Sequence, residues 1–279
     1  MLQYLNIKTL DSYKKFNTLN VLKLNINTMK KFLLYPYIEA RVISGQMANM
    51  TVFSAMVDYI NRTDRRNEPR RIPMVLNNHI GKGGHLSSQP MGALRDYVSK
   101  DPVTEKYSVI NFPVLEENPY RIDLEETARL LERFDPELII LGKSMILHPE
   151  PVAGIKEILT KNSSNSVIMY DMAHIIGLIG PYFQNPYEEG ADIITGSTHK
   201  TFFGSQRGVI GSAFEEGTTE FDLWKTIERR AFPGSVSNHH LGTLLGLLMS
   251  TIEMNAFKDS YQPQVLSNAK AFAMALADE

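Results

Sequence analysis

Apolar residues along this chain follow two spacings in turn, and the alternation predicts strands and helices in succession. Short, nearly continuous apolar runs at residues 73–77, 108–112, 138–141, 166–170, 191–195 and 208–214 read as strands, several of them buried on both faces. Between them apolar residues return every three or four positions. Over residues 47–61, Met50, Phe53, Met56, Val57 and Ile60 share one helical face. Over 123–134, Leu130, Leu131 and Phe134 face inward, Asp123 is an N-cap, and Glu126 completes a capping box. Residues 152–161 and 240–254 read as further helices. Repeated strand–helix alternation predicts an α/β fold of three layers, a mostly parallel sheet with helices on both faces. No internal repeat is visible.

Composition narrows the class. The chain has 279 residues, 43% hydrophobic and 22% charged, with a formal net charge of -2. That length can bury a large core. The near-neutral charge gives no footprint for nucleic acid or an anionic membrane, so neither is expected as a partner. There is no cysteine, which excludes disulfides, cysteine-ligated zinc and a thiol nucleophile. The greasiest run, 241–249, is too short to span a bilayer. The N-terminus lacks the apolar core of a secretory signal, so a cytoplasmic location is expected. Residues 1–35 stand apart, rich in Asn, Lys, Thr and Leu and without a motif. They read as a docking segment or a poorly ordered tail.

The candidate chemistry centres on two positions. Asp171 closes the apolar run 166–170, at the carboxyl end where open α/β sheets bind ligands. Lys200 follows the next run, in a polar stretch with Thr198 and His199. Alone, Asp171 could be a helix N-cap and Lys200 a solvated surface lysine. In this order they suit pyridoxal 5′-phosphate. The lysine amine can condense with the cofactor aldehyde, and the acid keeps the pyridine nitrogen protonated. Ser44, Gly45 and Gln46 precede the helix at 47–61, where backbone N–H groups can cradle a phosphate or Ser44 can simply cap.

With these residues in view, YDMAHIIGLIG (170–180) and ADIITGSTHKTFFGSQRGVI (191–210) closely resemble the serine hydroxymethyltransferase family. The motifs SGQMAN, GGHL, LIILGKS, FPG and QVLSNAKAFA follow in the family's order, from about Val42 onward. The resemblance implies a fold-type-I large domain over residues 36–260. It also implies that 261–279 begin a linker helix to a small domain that does not follow here. It implies a homodimer acting on serine or glycine, with tetrahydrofolate as co-substrate. Lys200 would hold the cofactor, Asp171 its ring nitrogen, and the 44–46 loop its phosphate. Ser144 and His174 would lie near its phenolic oxygen, although His174 reads equally well as a buried histidine bonded to backbone. Thr198 could orient reacting groups, and His199 is catalytic or structural. Arg207 would reach the phosphate or pair on the surface. Two departures stand out. Lys82 occupies the place of the family's ring-stacking histidine, so either His79 or His85 fills in or the ring is held differently. His85 could otherwise serve only to shape its loop. After Gly234 the family's phosphate-binding segment is shortened, and no counterpart of the N-terminal arm is evident. A folate-independent aldolase or transaldolase, or a cofactor-binding homologue without turnover, are the alternatives.

Overall fold

The apolar runs become the centre of one sheet. A computed structural model describes residues 18–64, 68–238 and 240–278. Leu138–Leu141 forms β4 and Val167–Asp171 forms β5, both buried at every position. They pair in parallel with Ile139 opposite Ile168. Val75–Asn77 (β2) and Val109–Asn111 (β3) extend the parallel sheet on one side. Ile193–His199 (β6) pairs in parallel with β5 on the other, setting Thr195 beside Asp171. Phe203–Ser212 (β7) folds back antiparallel on β6, and Tyr37–Glu39 (β1) pairs antiparallel with β7. The seven-stranded order is β1-β7-β6-β5-β4-β2-β3. The expected α/β fold with a mostly parallel sheet is the one observed.

The strand period of two divides the core between two helical layers. Ile139 and Leu141 of β4 and Ile168 and Tyr170 of β5 join one cluster. Leu138, Ile140, Val167 and Met169 join the other. The first layer contains α1 (Thr18–Leu33), α3 (Leu124–Arg133), α4 (Val152–Lys161) and α6 (Leu241–Ala277). The second contains α2 (Gly45–Ile60) and α5 (Phe221–Arg229).

Several expected boundaries move for visible reasons. The helix expected at 47–61 begins at Gly45, because Ser44 accepts a bond from the Met47 N–H. Asp123 caps α3 through the Glu125 and Glu126 N–H groups. Glu126 itself pairs with Arg129. The strand expected at 191–195 runs on to His199, since β7 supplies a partner as far as Phe203. Thr198 and His199 therefore lie on a strand, not in a loop. The helix expected at 240–254 continues to Ala277, across the 260/261 boundary expected from sequence. Residues 1–17 of the unmatched segment lie outside the described residues. Residues 18–33 dock as a helix: Asn25 donates to the Leu244 carbonyl at 3.0 Å, and Asn255 of α6 donates to the Thr28 carbonyl at 3.0 Å. Phe32 meets Phe202 edge to face at 5.4 Å. Among the described residues no helix is long and apolar enough to cross a membrane.

Candidate active site

The parallel strands deliver Asp171 to the carboxyl edge of the sheet, where it is 1% exposed. A carboxylate so buried needs partners, and it has three. Its Oδ2 accepts from His85 Nδ1 at 2.5 Å and from Asn49 Nδ2 at 2.7 Å. Its Oδ1 accepts from the Ala173 N–H at 3.1 Å. Burial alone would raise this carboxyl. The hydrogen bond and charge of His85, the Asn49 amide and the Ala173 N–H outweigh it and hold the group below the usual carboxylate range. Behind the acid, Gly142 adopts a φ of +146°, and a Cβ there would lie 2.5 Å from the Asp171 carbonyl oxygen. Glycine lets the end of β4 close directly onto the acid.

Asn49 is the residue that sequence reasoning missed. From α2 it donates to Asp171 and to Ser87 Oγ, and it accepts from Thr195 Oγ1 at 2.6 Å. It ties a helix, a strand and the 86–88 turn to one carboxylate. The available signal was positional: Asn49 falls four residues after Gly45, on a helix face otherwise made of apolar and small residues.

Lys200 opens the turn between β6 and β7. Partial burial draws its amine below the ordinary lysine value, while the Asp171 charge pulls the other way. A lowered amine pKa leaves more of the neutral, nucleophilic form. His174 packs against His85, its ring 5.2 Å from that of His85 at 80°. Burial first, then the charges of Lys200 and His85, lower His174 to about 4 against the pull of Asp171. Asp171, His85, His174 and Lys200 therefore form one electrostatically coupled group. A testable consequence follows for His174. Its folded value lies below the ordinary 6.5, so the unfolded chain takes up the proton first. The stability it contributes is full above the ordinary value and is lost as pH falls toward the folded one. Its Cε1 proton resonance in an NMR titration should stay still from neutral pH down to about pH 5. A midpoint near the ordinary histidine value would contradict this environment.

The loop at residues 44–46 leads directly into α2. Ser44 Oγ caps α2, and Gly45 sits so close to β6 that a Cβ would lie 2.1 Å from Ser197 Oγ. Gln46 is exposed beside it. Of the two histidines considered for the missing stacking residue, His79 is exposed and occupied with the Gly81 N–H at 3.0 Å. His85 is the one that reaches the site, although as a partner of Asp171. Lys82 lies in the short turn Ile80–Lys82 just before it. Ser144 is exposed after β4, its N–H bonded to the Gly83 carbonyl at 2.8 Å. His199 is exposed at the end of β6, lowered by partial burial and by Lys200. Gly234 is exposed in the turn after α5, where Ser235 Oγ lies 2.9 Å from Thr51 Oγ1 of α2.

Two expected site residues are corrected. Thr198 is fully buried, and its hydroxyl serves the hairpin, 2.7 Å from the Ser205 carbonyl and accepting the Arg207 N–H at 3.1 Å. It does not present its oxygen to the site. Arg207 is neither a surface pair nor turned to the phosphate loop. It is fully buried, and its guanidinium straps the Ala40 and Arg41 carbonyls at 3.0 Å and Thr243 Oγ1 at 2.9 Å. A separate cleft of about 630 Å³ opens at the other end of α2, lined by residues that include Asp58, Arg62, Asp222 and Arg229. It is remote from these groups.

The residues present fit pyridoxal phosphate: a buried acid kept ionised, a lysine with a lowered pKa, and a capped helix N-terminus beside the strand that leads to that lysine. Comparison with known proteins agrees. The model of the family described as serine hydroxymethyltransferase matches residues 21–279. Serine hydroxymethyltransferase of Archaeoglobus fulgidus is 37% identical over 252 residues, covering 90% of this chain and 51% of that protein. The same enzyme of Korarchaeum cryptofilum is 35% identical over 253 residues, covering 90% and 54%. The chain spans about half the length of the curated relatives it matches. Among solved structures, L-threonine transaldolase from Pseudomonas fluorescens, crystallised in its internal aldimine state, matches with a TM-score of 0.73. The match covers 92% of this chain and 52% of that one, at 24% identity, and is a likeness of fold.

Proposed function

The chain belongs to the serine hydroxymethyltransferase family, and from that premise we propose that it carries the pyridoxal phosphate site of an enzyme moving a one-carbon unit between serine and glycine, with tetrahydrofolate as acceptor. The buried Asp171 at the end of β5, with Lys200 just past the end of the adjacent parallel strand β6, carries this reading. Residues 36–260 are the cofactor domain, and 261–279 lead toward a small domain. By the same resemblance the protein acts as a homodimer in the cytoplasm, on a small amino acid rather than nucleic acid or membrane.

When bound, the cofactor supplies a sink for the electron pair released at the substrate α-carbon. The chain's own residues do the rest. Lys200 offers a partly desolvated amine that can attack an aldehyde carbon. Asp171, kept ionised by His85, Asn49 and the Ala173 N–H, favours a proton on a ring nitrogen bound against it. Neutral His174 can donate to or accept from a phenolic oxygen without adding charge. The N–H groups at the start of α2, with the Ser44 hydroxyl, would hold the cofactor's phosphate.

A folate-independent retro-aldol reaction, of the kind carried out by threonine aldolases and transaldolases, is the second reading. Lys82 in place of an aromatic face leaves room for it, because lysine is a point charge and offers no ring to stack. The two separate in one assay: glycine release from serine, with and without tetrahydrofolate, beside acetaldehyde release from threonine. Glycine release that requires tetrahydrofolate supports the hydroxymethyltransferase. Faster, folate-independent cleavage of threonine supports the aldolase.

A further inference from the structure

We propose that the buried ion pair of Lys143 and Glu150 is a positioning device for this site, locking the end of β4 to the loop that carries His85. The proposal rests on the reading of Asp171, His85 and Lys200 given above. It names two residues that neither the motifs nor the proposed chemistry assign.

Both side chains are 2% exposed, and Lys143 Nζ lies 2.6 Å from Glu150 Oε1. Burial pushes the Glu150 carboxyl up, against the pull of Lys143 and Asn78. A pair this deep is a poor stabiliser, since desolvating two charges takes back much of their attraction, and an apolar pair of like volume often serves as well. What an ion pair adds is direction, and here the Glu150 side leads through Asn78 to the site. Lys143 Nζ also donates to the Tyr120 carbonyl at 2.9 Å, fixing the loop before α3. Glu150 Oε2 accepts from Asn78 Nδ2 at 3.3 Å. Asn78 Oδ1 in turn accepts the Gly142 N–H at 2.9 Å. Gly142 is the residue that closes onto Asp171, and its carbonyl accepts the His85 N–H at 3.1 Å. Gln89 Nε2 joins the same loop, donating to the Asn78 carbonyl at 2.8 Å.

The backbone at Glu150 also meets the strand that carries Asp171. Gln184 Nε2 donates to the Glu150 carbonyl at 2.7 Å, and Gln184 Oε1 accepts from the Tyr170 hydroxyl at 3.0 Å. Tyr170 immediately precedes Asp171. His85 and Asp171, 86 positions apart in sequence, are thus referred to one buried anchor. Without it, the glycine-rich stretch Gly81 to Gly84 keeps only backbone bonds, such as Gly84 N–H to the His79 carbonyl at 3.0 Å and Ser144 N–H to the Gly83 carbonyl at 2.8 Å, and glycine restricts its own backbone least.

The test replaces the pair by neutral groups of similar size, Lys143→Met with Glu150→Gln, and compares the full chain with wild type. Three quantities are read: the melting temperature, the hydrogen-bonded Nδ1 proton of His85 in histidine-labelled NMR spectra without cofactor, and the dissociation constant for pyridoxal phosphate. We expect a melting temperature within about 5 °C of wild type and loss of the downfield His85 proton. We expect affinity weakened by about tenfold, the lower end of what outer partners contribute to a bound group. A folded variant that keeps the proton and binds the cofactor as wild type does would overturn the proposal and leave the pair as core filling. If that double variant does not fold, Lys143→Gln with Glu150→Gln, which buries no charge and keeps a donor and an acceptor, carries the same comparison. Failure of wild type to bind the cofactor would instead defeat the functional reading, while the His85 proton still decides the role of the pair.

Discussion

Replacing Lys200 by alanine is expected to abolish covalent attachment of pyridoxal phosphate while leaving the fold intact. The side chain is exposed and on a turn, so its removal opens no cavity in the core. Surface truncations of this kind usually stay within about 0.5 kcal/mol of wild type. Borohydride reduction of the wild-type complex, followed by digestion and mass spectrometry, should find the cofactor on the peptide containing Lys200. The Lys200→Ala protein should yield no labelled peptide, and Lys82→Ala should label as wild type does. Label on another lysine in the Lys200→Ala protein would move the attachment site elsewhere.

Truncation of Asp171 is the second large effect, and it falls on stability as well as on binding. Asp171→Ala leaves the His85 ring nitrogen and the Asn49 amide facing a buried gap. Unpaired buried donors cost about 1–3 kcal/mol each, so a loss of about 3 kcal/mol is expected in urea unfolding at neutral pH. Cofactor affinity should fall by at least about tenfold, equivalent to about 1.4 kcal/mol. The stability difference should also depend on pH. The folded pKa of Asp171 is depressed, so its contribution is present above the ordinary carboxylate value near 4 and is lost as pH falls through the lower folded value. The gap between wild type and variant should therefore narrow below about pH 4. A gap that stays constant into acid would mean that Asp171 is not held ionised by these partners.

What could be read in advance depended on whether the cause lay within a short stretch of chain. Strands β4 and β5 were legible because every position before Asp171 is apolar or aromatic, as buried parallel strands require. The extension of β6 to His199 and the start of β7 at Phe203 were not. Thr198, Ser205 and Arg207 look like loop residues until the hairpin pairs their polar groups. Helix α1 carries Val21, Leu22, Met29, Phe32 and Leu33 at helical spacing, but with many Asn, Lys and Thr residues between them. Its burial is decided by α6, more than two hundred residues later.

The site divides in the same way. The placement of Asp171 at the end of β5 and of Lys200 just past β6 follows from strand ends and order alone. Asn49 was passed over inside a motif already in view, because its partner Asp171 lies 122 positions away. Lys143 and Glu150 resemble solvated charges in sequence, and burial of both became visible only in three dimensions. Arg207 failed in the opposite direction. A motif neighbour of Lys200 suggested phosphate, whereas the Ala40 and Arg41 carbonyls, just after β1, claim its guanidinium.

The central claim is that this chain by itself forms a pyridoxal phosphate site around Asp171 and Lys200. A visible-absorbance titration of the purified, cooperatively folded protein with pyridoxal phosphate tests it most directly. The account predicts a new band of lysine-bound cofactor, saturating at one per chain and absent from the Lys200→Ala protein. A folded wild-type chain that develops no such band, or one that persists in the Lys200→Ala protein, would contradict it.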